Sequence, residues 1–192
     1  MTRTAVVTGA GTGLGAATAL AFAREGTDVV LVGRRKELLD ATAVAVESEG
    51  ARAVVVAGDV SEESTAERAV EAATAELGGV DVLVNNAAIH AHPVLLHESS
   101  VEEFDRFLAI DLRGPFLFTR AAVPSMIARG GGAVLNVASM AGLVGFKYSS
   151  AYTTAKAGLI GLTRATAVDY GAQRIRANCL CPGGMGPVEQ PH

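Results

Sequence analysis

Two groups of residues in this 192-residue chain have types and spacings that could do chemistry. One is the run Thr8-Gly9-Ala10-Gly11-Thr12-Gly13-Leu14-Gly15. Glycines this dense let a chain turn at positive φ and bring bare backbone N–H groups against a ligand. Where such a turn opens a helix, the helix N-terminus adds partial positive charge, and the combination suits a pyrophosphate. The other group is Tyr152 and Lys156, four residues apart and so on one face of a helix. A free tyrosine ionises near ~10 and is a poor base at neutral pH. Lowering it by about three units takes roughly 4 kcal/mol. One cation about 5 Å away at an effective dielectric of ~20 supplies on the order of 3 kcal/mol. Such a pair could pass a proton to and from a substrate oxygen, although the same spacing also occurs in ordinary surface helix pairs.

These groups need elements to hold them. Thr4–Thr8 is short, apolar and β-branched, which predicts a strand, and the Ala-rich run 16–25 predicts a helix after the turn. Further strands are expected over 28–32, 53–57, 81–84, 133–138 and 174–179. Helices are expected over 35–49, 62–77, most of 101–129, and 151–170, with Gly50 and Gly78-Gly79 as stops. Strands and helices alternate, and the strands read as continuous apolar runs with both faces buried. The fold class is therefore α/β: a Rossmann-type doubly wound parallel sheet in three layers, with six predicted strands and right-handed crossovers. No linker or internal repeat interrupts the pattern, so residues 1–192 are expected to form a single domain.

In this setting the glycine run becomes a strand–turn–helix cradle for a dinucleotide. The general fingerprint places an acid about 20 residues on, where it holds the ribose hydroxyls. Here the second strand ends Val32-Gly33-Arg34-Arg35, with no acid and two arginines. A guanidinium binds a 2′-phosphate through charge-assisted bonds, whereas a carboxylate repels it. NADP is the expected cofactor, with NAD as the alternative.

Bulk properties narrow the partners. The net charge of −4 lacks the basic face that nucleic acid requires. Hydrophobic residues make up 49% of the chain, enough for a large core. No apolar stretch predicts a membrane span, and no leader pattern opens the chain. Cys179 and Cys181 are expected to be packed, unbridged thiols, in keeping with a cytoplasmic setting. His90, His92 and His97 do not have metal-ligand spacing, so no metal is expected.

With these motifs in order along the chain, it resembles the short-chain dehydrogenase/reductase family. The spacing Thr8-Gly9-x-x-x-Gly13-x-Gly15 is similar to that family's cofactor turn, which implies cofactor contacts from Gly9, Thr12, Gly13, Leu14 and Gly15. Asp59-Val60 resembles its adenine-contacting pair. Asn85-Asn86-Ala87-Ala88 resembles the segment that steadies the sheet and lines the cofactor. Ser139, then Tyr152-x-x-x-Lys156, resemble its catalytic serine and Tyr-Lys pair; the lysine also reaches the nicotinamide ribose, and Lys156 with the positive nicotinamide is expected to lower the tyrosine. Pro182-Gly183 resembles the segment beside the nicotinamide. The resemblance implies hydride transfer between NADP(H) and a small or medium carbonyl or secondary alcohol, in a homodimer built on helices 101–129 and 151–170. Alanines such as Ala151, Ala155, Ala157 and Ala165 would allow those helices to approach closely.

Two features depart from the family pattern. Asp111 stands where the family usually has the asparagine that completes its catalytic group. An ionised carboxylate there adds negative charge beside the lysine. After Gly183 the chain runs only to His192, so the usual seventh strand and substrate loop are expected to be missing, leaving the sixth strand as an edge. The alternative reading is therefore a catalytically weak nucleotide-binding protein, a truncated product or a scaffold subunit.

Overall fold

The computed structural model describes residues 2–89 and 93–184. His90 and His92 lie outside the described residues. The first strand, β1, spans Thr4–Thr8 and is buried along its whole length. Helix α1 covers Gly13–Arg24. It is built from alanines, the strongest helix formers, and buries Gly15, Ala19 and Ala23 at helical spacing. It begins three residues before the expected Ala16, because the last glycines of the turn already form its first turn.

Strand β2 follows at Asp28–Gly33 and helix α2 at Lys36–Ser48, with Leu39, Thr42 and Val46 turned inward. Strand β3 is Ala53–Ala57. Helix α3, Glu63–Leu77, ends at Gly78 in the left-handed region. Strand β4 is Val82–Asn85.

Helix α4, Val101–Leu108, starts at Ser100, whose hydroxyl accepts from the Glu103 N–H at 3.0 Å. The chain then widens into a π turn at Ala109–Arg113 before helix α5, Gly114–Ala128. Strand β5 is Gly132–Val137, helix α6 is Ser150–Tyr170 and strand β6 is Ile175–Leu180.

The six strands form one parallel sheet in the order β3-β2-β1-β4-β5-β6. Helices α1 and α2 pack on one face, with Leu39 and Val46 against Val29 and Leu31. Helices α3 and α5 pack on the other, where Phe118 and Met126 meet Val6 and Val134. The winding reverses between β1 and β4, and this opens a crevice at the carboxyl ends of the strands.

The expectation of strands buried on both faces holds for β1 and for most of β2. It does not hold for β6, where Ile175 is buried but Arg176 and Asn178 are exposed. The segment Ile-Arg-Ala-Asn-Cys-Leu alternates with period two, as a strand covered on one face does. Among the described residues β6 is one edge of the sheet and β3 the other.

Helix α6 also corrects an expectation. Ala151 and Ala155 are buried inside the chain, packed against Phe107 of α4, so they are not free to face a partner. Ala157 and Ala165 are exposed. Arg129 at the end of α5 grips Asp81 with two bonds, 2.6 and 2.9 Å, while Asp81 accepts the Thr4 N–H at 2.8 Å. This fork pairing ties α5 to the start of β1 and β4.

Candidate active site

The crevice at the reversal point is a cleft of about 350 Å³. One end is the glycine turn between β1 and α1. Gly9 has φ of +66°, and a Cβ added there would sit 2.8 Å from Asn86 Nδ2. At Gly15 a Cβ would collide with the Gly9 carbonyl. Both positions demand glycine, one for its dihedral and one for the close passage of the turn over its own helix. The α1 N-terminus therefore faces the cleft with no side chain between, which fits a pyrophosphate.

Thr8 fixes this turn to the loop after β4. Its hydroxyl donates to the Val84 carbonyl at 3.3 Å and accepts from the Asn86 and Ala87 N–H groups at 2.9 and 3.0 Å. Asn86 Nδ2 returns a bond to the Thr8 carbonyl at 2.9 Å. The loop that lines the cleft at Asn86, Ala87 and Ala88 is thereby held by the strand that carries the cradle.

The outer end of the cleft is formed by the ends of β2 and β3. Arg34 and Arg35 are exposed there, opposite Asp59 and Val60. Burial pushes the Asp59 carboxyl up, but the Ser61 N–H and hydroxyl bonds and the charges of Arg34 and Arg106 outweigh it. The group is held below its ordinary value. The two Ser61 bonds are 2.9 and 2.8 Å.

At the inner end stand Ser139, Tyr152 and Lys156. Ser139 follows β5; its hydroxyl accepts from the Ala141 N–H at 3.1 Å and stands near enough to the Tyr152 phenol to favour its ionised form. Tyr152 and Lys156 share the inward face of α6, with the Lys156 ammonium 5.6 Å from the tyrosine ring centre. Phe107 stacks edge-on against the same ring. Lys156 is buried and donates to the Val137 carbonyl at 2.9 Å. Pro182 and Gly183 reach this end because the Met140 N–H bonds the Pro182 carbonyl at 3.0 Å.

Asp111 is fully buried in the π turn. Its Oδ1 accepts the Ile89 N–H at 3.0 Å, and its Oδ2 lies 3.6 Å from Lys156 Nζ.

Without the charge of a bound nicotinamide, burial pushes Tyr152 up, the Ser139 hydroxyl offsets part of this, and the Asp111 charge adds to the rise. Burial likewise pushes Lys156 down, against the attraction of Asp111.

Sixteen of the eighteen residues expected at the site line the cleft wall. Gly15 lies beneath it in α1 and Asp111 lies behind Lys156. The sequence reading missed Leu38, Gly58, Ile110 and Val137, which also line the cleft. It also missed a buried polar ladder. Asn85 Nδ2 donates to Asn136 Oδ1 at 2.8 Å, and Asn136 Nδ2 donates to Thr163 Oγ1 at 2.9 Å. The ladder joins β4, β5 and α6 and sets the height of the helix that carries Tyr152 and Lys156. Its only sequence signal is an asparagine inside the apolar run of β5, a costly residue to bury without partners.

Among the described residues no cluster of three metal-ligating side chains occurs, and no helix is long and apolar enough to cross a membrane. Cys179 and Cys181 are free thiols.

A family model described as short chain dehydrogenase matches residues 3–189. The chain is 41% identical over 186 residues to 2-(R)-hydroxypropyl-CoM dehydrogenase of Xanthobacter autotrophicus, covering 95% of this chain and 74% of that protein. It is 45% identical over 181 residues to cis-4-hydroxycyclohexanecarboxylate dehydrogenase of Sinomonas cyclohexanicum, covering 94% of this chain and 72% of the other. Among solved structures, NAD+-bound xylitol dehydrogenase superposes with a TM-score of 0.93 at 34% identity, covering 97% of this chain and 72% of that one. With the cradle, the Ser-Tyr-Lys group and the sheet order all in place, the chain belongs to the short-chain dehydrogenase family of oxidoreductases acting on CH–OH donors.

Proposed function

We propose that this chain folds as one dinucleotide-binding domain that uses NADP(H) to interconvert a small or medium carbonyl compound and its secondary alcohol. The observation that carries the reading is the continuity of the cleft. It runs from the bare helix terminus at Gly13 to the Ser139–Tyr152–Lys156 group without a change of wall. When bound, the nicotinamide supplies or accepts the hydride. The chain's own residues do the rest. Ser139 and Tyr152 direct two hydroxyls toward the reacting oxygen. Tyr152 holds the proton that this oxygen gains in reduction or gives up in oxidation. Lys156 steadies the group and would hold the nicotinamide ribose. The wall at Asn86, Ala87 and Ala88 would orient the dinucleotide, and Pro182 and Gly183 would flank its nicotinamide end.

The cofactor choice rests on Arg34 and Arg35. Both line the outer cleft, and no carboxylate stands at the end of β2 to repel a 2′-phosphate. Arg34→Ala is expected to weaken NADPH binding about tenfold or more, the loss of one charge-assisted bond. NADH binding should be unchanged. Titrating both cofactors against both proteins checks this; equal losses, or tighter NADH binding by the parent, would sink the NADP assignment.

The competing reading, nucleotide binding without turnover, draws on the Asp111 carboxylate beside Lys156. Cofactor oxidation measured over a panel of small ketones and aldehydes separates the two.

We also propose a homodimer built on α4, α5 and α6. Leu108, Leu112, Phe116 and Leu162 line a shallow groove there, and Phe116 and Val168 are 46% and 83% exposed.

A further inference from the structure

We propose that Asp111 is a positioning residue that pins the Lys156 ammonium and cancels the positive charge behind Tyr152, so that the centre acts as a proton donor for carbonyl reduction. This rests on the oxidoreductase reading above.

Four observations carry it. Asp111 and Lys156 are both almost fully removed from solvent, at 0% and 2% exposure, and their charged atoms are 3.6 Å apart. The Asp111 carboxylate is set by the Ile89 N–H at 3.0 Å, so it cannot swing away without breaking a backbone bond. Lys156 is in turn anchored on the Val137 carbonyl at 2.9 Å. The π turn at Ala109–Arg113 is what aims Asp111 inward at this height.

The consequence follows from charge alone. A lysine beside an amide carries a net charge of +1. A lysine beside a carboxylate is neutral as a pair, whichever of the two holds the proton. The phenolate of Tyr152 therefore gains little from the ammonium in this chain. Other groups do not replace that gain. Among the described residues, the Ser139 hydroxyl on the loop after β5 offsets only part of the rise that burial causes, and Phe107 presents an apolar ring edge from α4. From β6, Cys179 bears on Lys156 rather than on the phenol. Burial and the Asp111 charge both favour the neutral phenol.

In reduction, the carbonyl carbon takes a hydride from the reduced dinucleotide. The C=O π pair moves onto oxygen, and that oxygen takes the phenolic proton of Tyr152. The phenolate left behind is reprotonated from solvent. A phenol that stays protonated at neutral pH is in the right state to start this direction and in the wrong state to start the reverse.

The test is Asp111→Asn, which keeps the size of the side chain and the acceptor for the Ile89 N–H. Its first readout is the phenolate absorbance of the cofactor-free protein across pH, for the parent, Asp111→Asn, and each combined with Tyr152→Phe. The chain has three tyrosines, so the Tyr152 contribution is the difference made by the Phe substitution. In Asp111→Asn this tyrosine is expected to titrate about one pH unit or more below the parent, the usual effect of removing one nearby charge. The second readout is the pH profile of kcat/KM. The limb on which alcohol oxidation rises should move down by the same amount. Oxidation at neutral pH should gain about tenfold, the rise in phenolate fraction that one pH unit gives.

An unmoved titration and limb would overturn the proposal. If Asp111→Asn does not fold, the parent titration decides alone: a Tyr152 phenolate already formed at neutral pH overturns it, and a phenol persisting above the ordinary tyrosine range supports it. A parent with no turnover on any substrate would sink the oxidoreductase reading instead, while the cofactor-free titration still judges Asp111.

Discussion

At the scale of single residues, the site depends on a small number of polar atoms held in apolar surroundings. Tyr152 lies against Phe107 beside Ser139, and in the proposed reaction its hydroxyl carries the proton. Tyr152→Phe removes that oxygen and little else. Turnover is expected to fall by about a hundredfold or more, with cofactor affinity kept within about twofold, since the ring and Lys156 remain. Fluorescence titration of cofactor alongside a turnover assay checks both; retained turnover would assign the proton to another group. Tyr152, Lys156 and Ser139 were legible because their spacing recurs with the glycine turn. The upward push on Tyr152 was not, because a sequence shows the attracting lysine but neither the burial of the phenol nor the approach of Asp111. Asn136 and Thr163 were hidden for a related reason. Their partners lie on other elements, 51 and 27 residues apart along the chain.

At the scale of elements, the turn between β1 and α1 has the least room for change. Gly15 sits inside a helix, where alanine is ordinarily the better residue. Here a Cβ would strike the Gly9 carbonyl and lie 2.6 Å from Asn86 Nδ2. Gly15→Ala is expected to destabilise the protein by about 1–3 kcal/mol, the usual cost of overpacking. The denaturant midpoint should fall with an unchanged slope, and an unshifted midpoint would show that the turn relaxes freely. The order and type of elements were legible from apolar runs and glycine stops. Their ends were less so. The α1 start moved to Gly13, and β4, β5 and β6 each differ by a residue from the expected spans. The π turn had no sequence signal, because Ala-Ile-Asp-Leu-Arg reads as ordinary helix and only packing widens it.

At the scale of the whole molecule, ligand and partner should both favour the folded state. Saturating NADPH, at about a hundred times its Kd, adds roughly 2.7 kcal/mol and should raise the melting temperature by roughly 5–10 °C. A melt indifferent to cofactor would contradict the cleft as its site. Light scattering should give twice the chain mass. Phe116→Glu, which places a charge in the groove of α4, α5 and α6, should give the monomer. A tetramer, or a Phe116→Glu protein that stays paired, would place the interface elsewhere.

The strand order also sets when binding becomes possible during synthesis. β1 pairs on one side with β2, whose Val29 meets Ala5 only 24 residues on, and on the other with β4, whose Val82 meets the same Ala5 after 77 residues. The first three strands can assemble early, by local crossovers, while the far edge of β1 stays open. Closing that edge waits for β4, and the proton-handling group waits longer still, for β5 and α6. Long-range closures of this kind are the slow steps of folding. The half of the chain that carries the phosphate cradle is therefore made first but stays unfinished until β4 arrives, and an arrested chain ending near residue 80 would hold the glycine turn without its opposing wall. Nucleotide capture is thus a property of the assembled sheet, arising with the closing of β1 against β4.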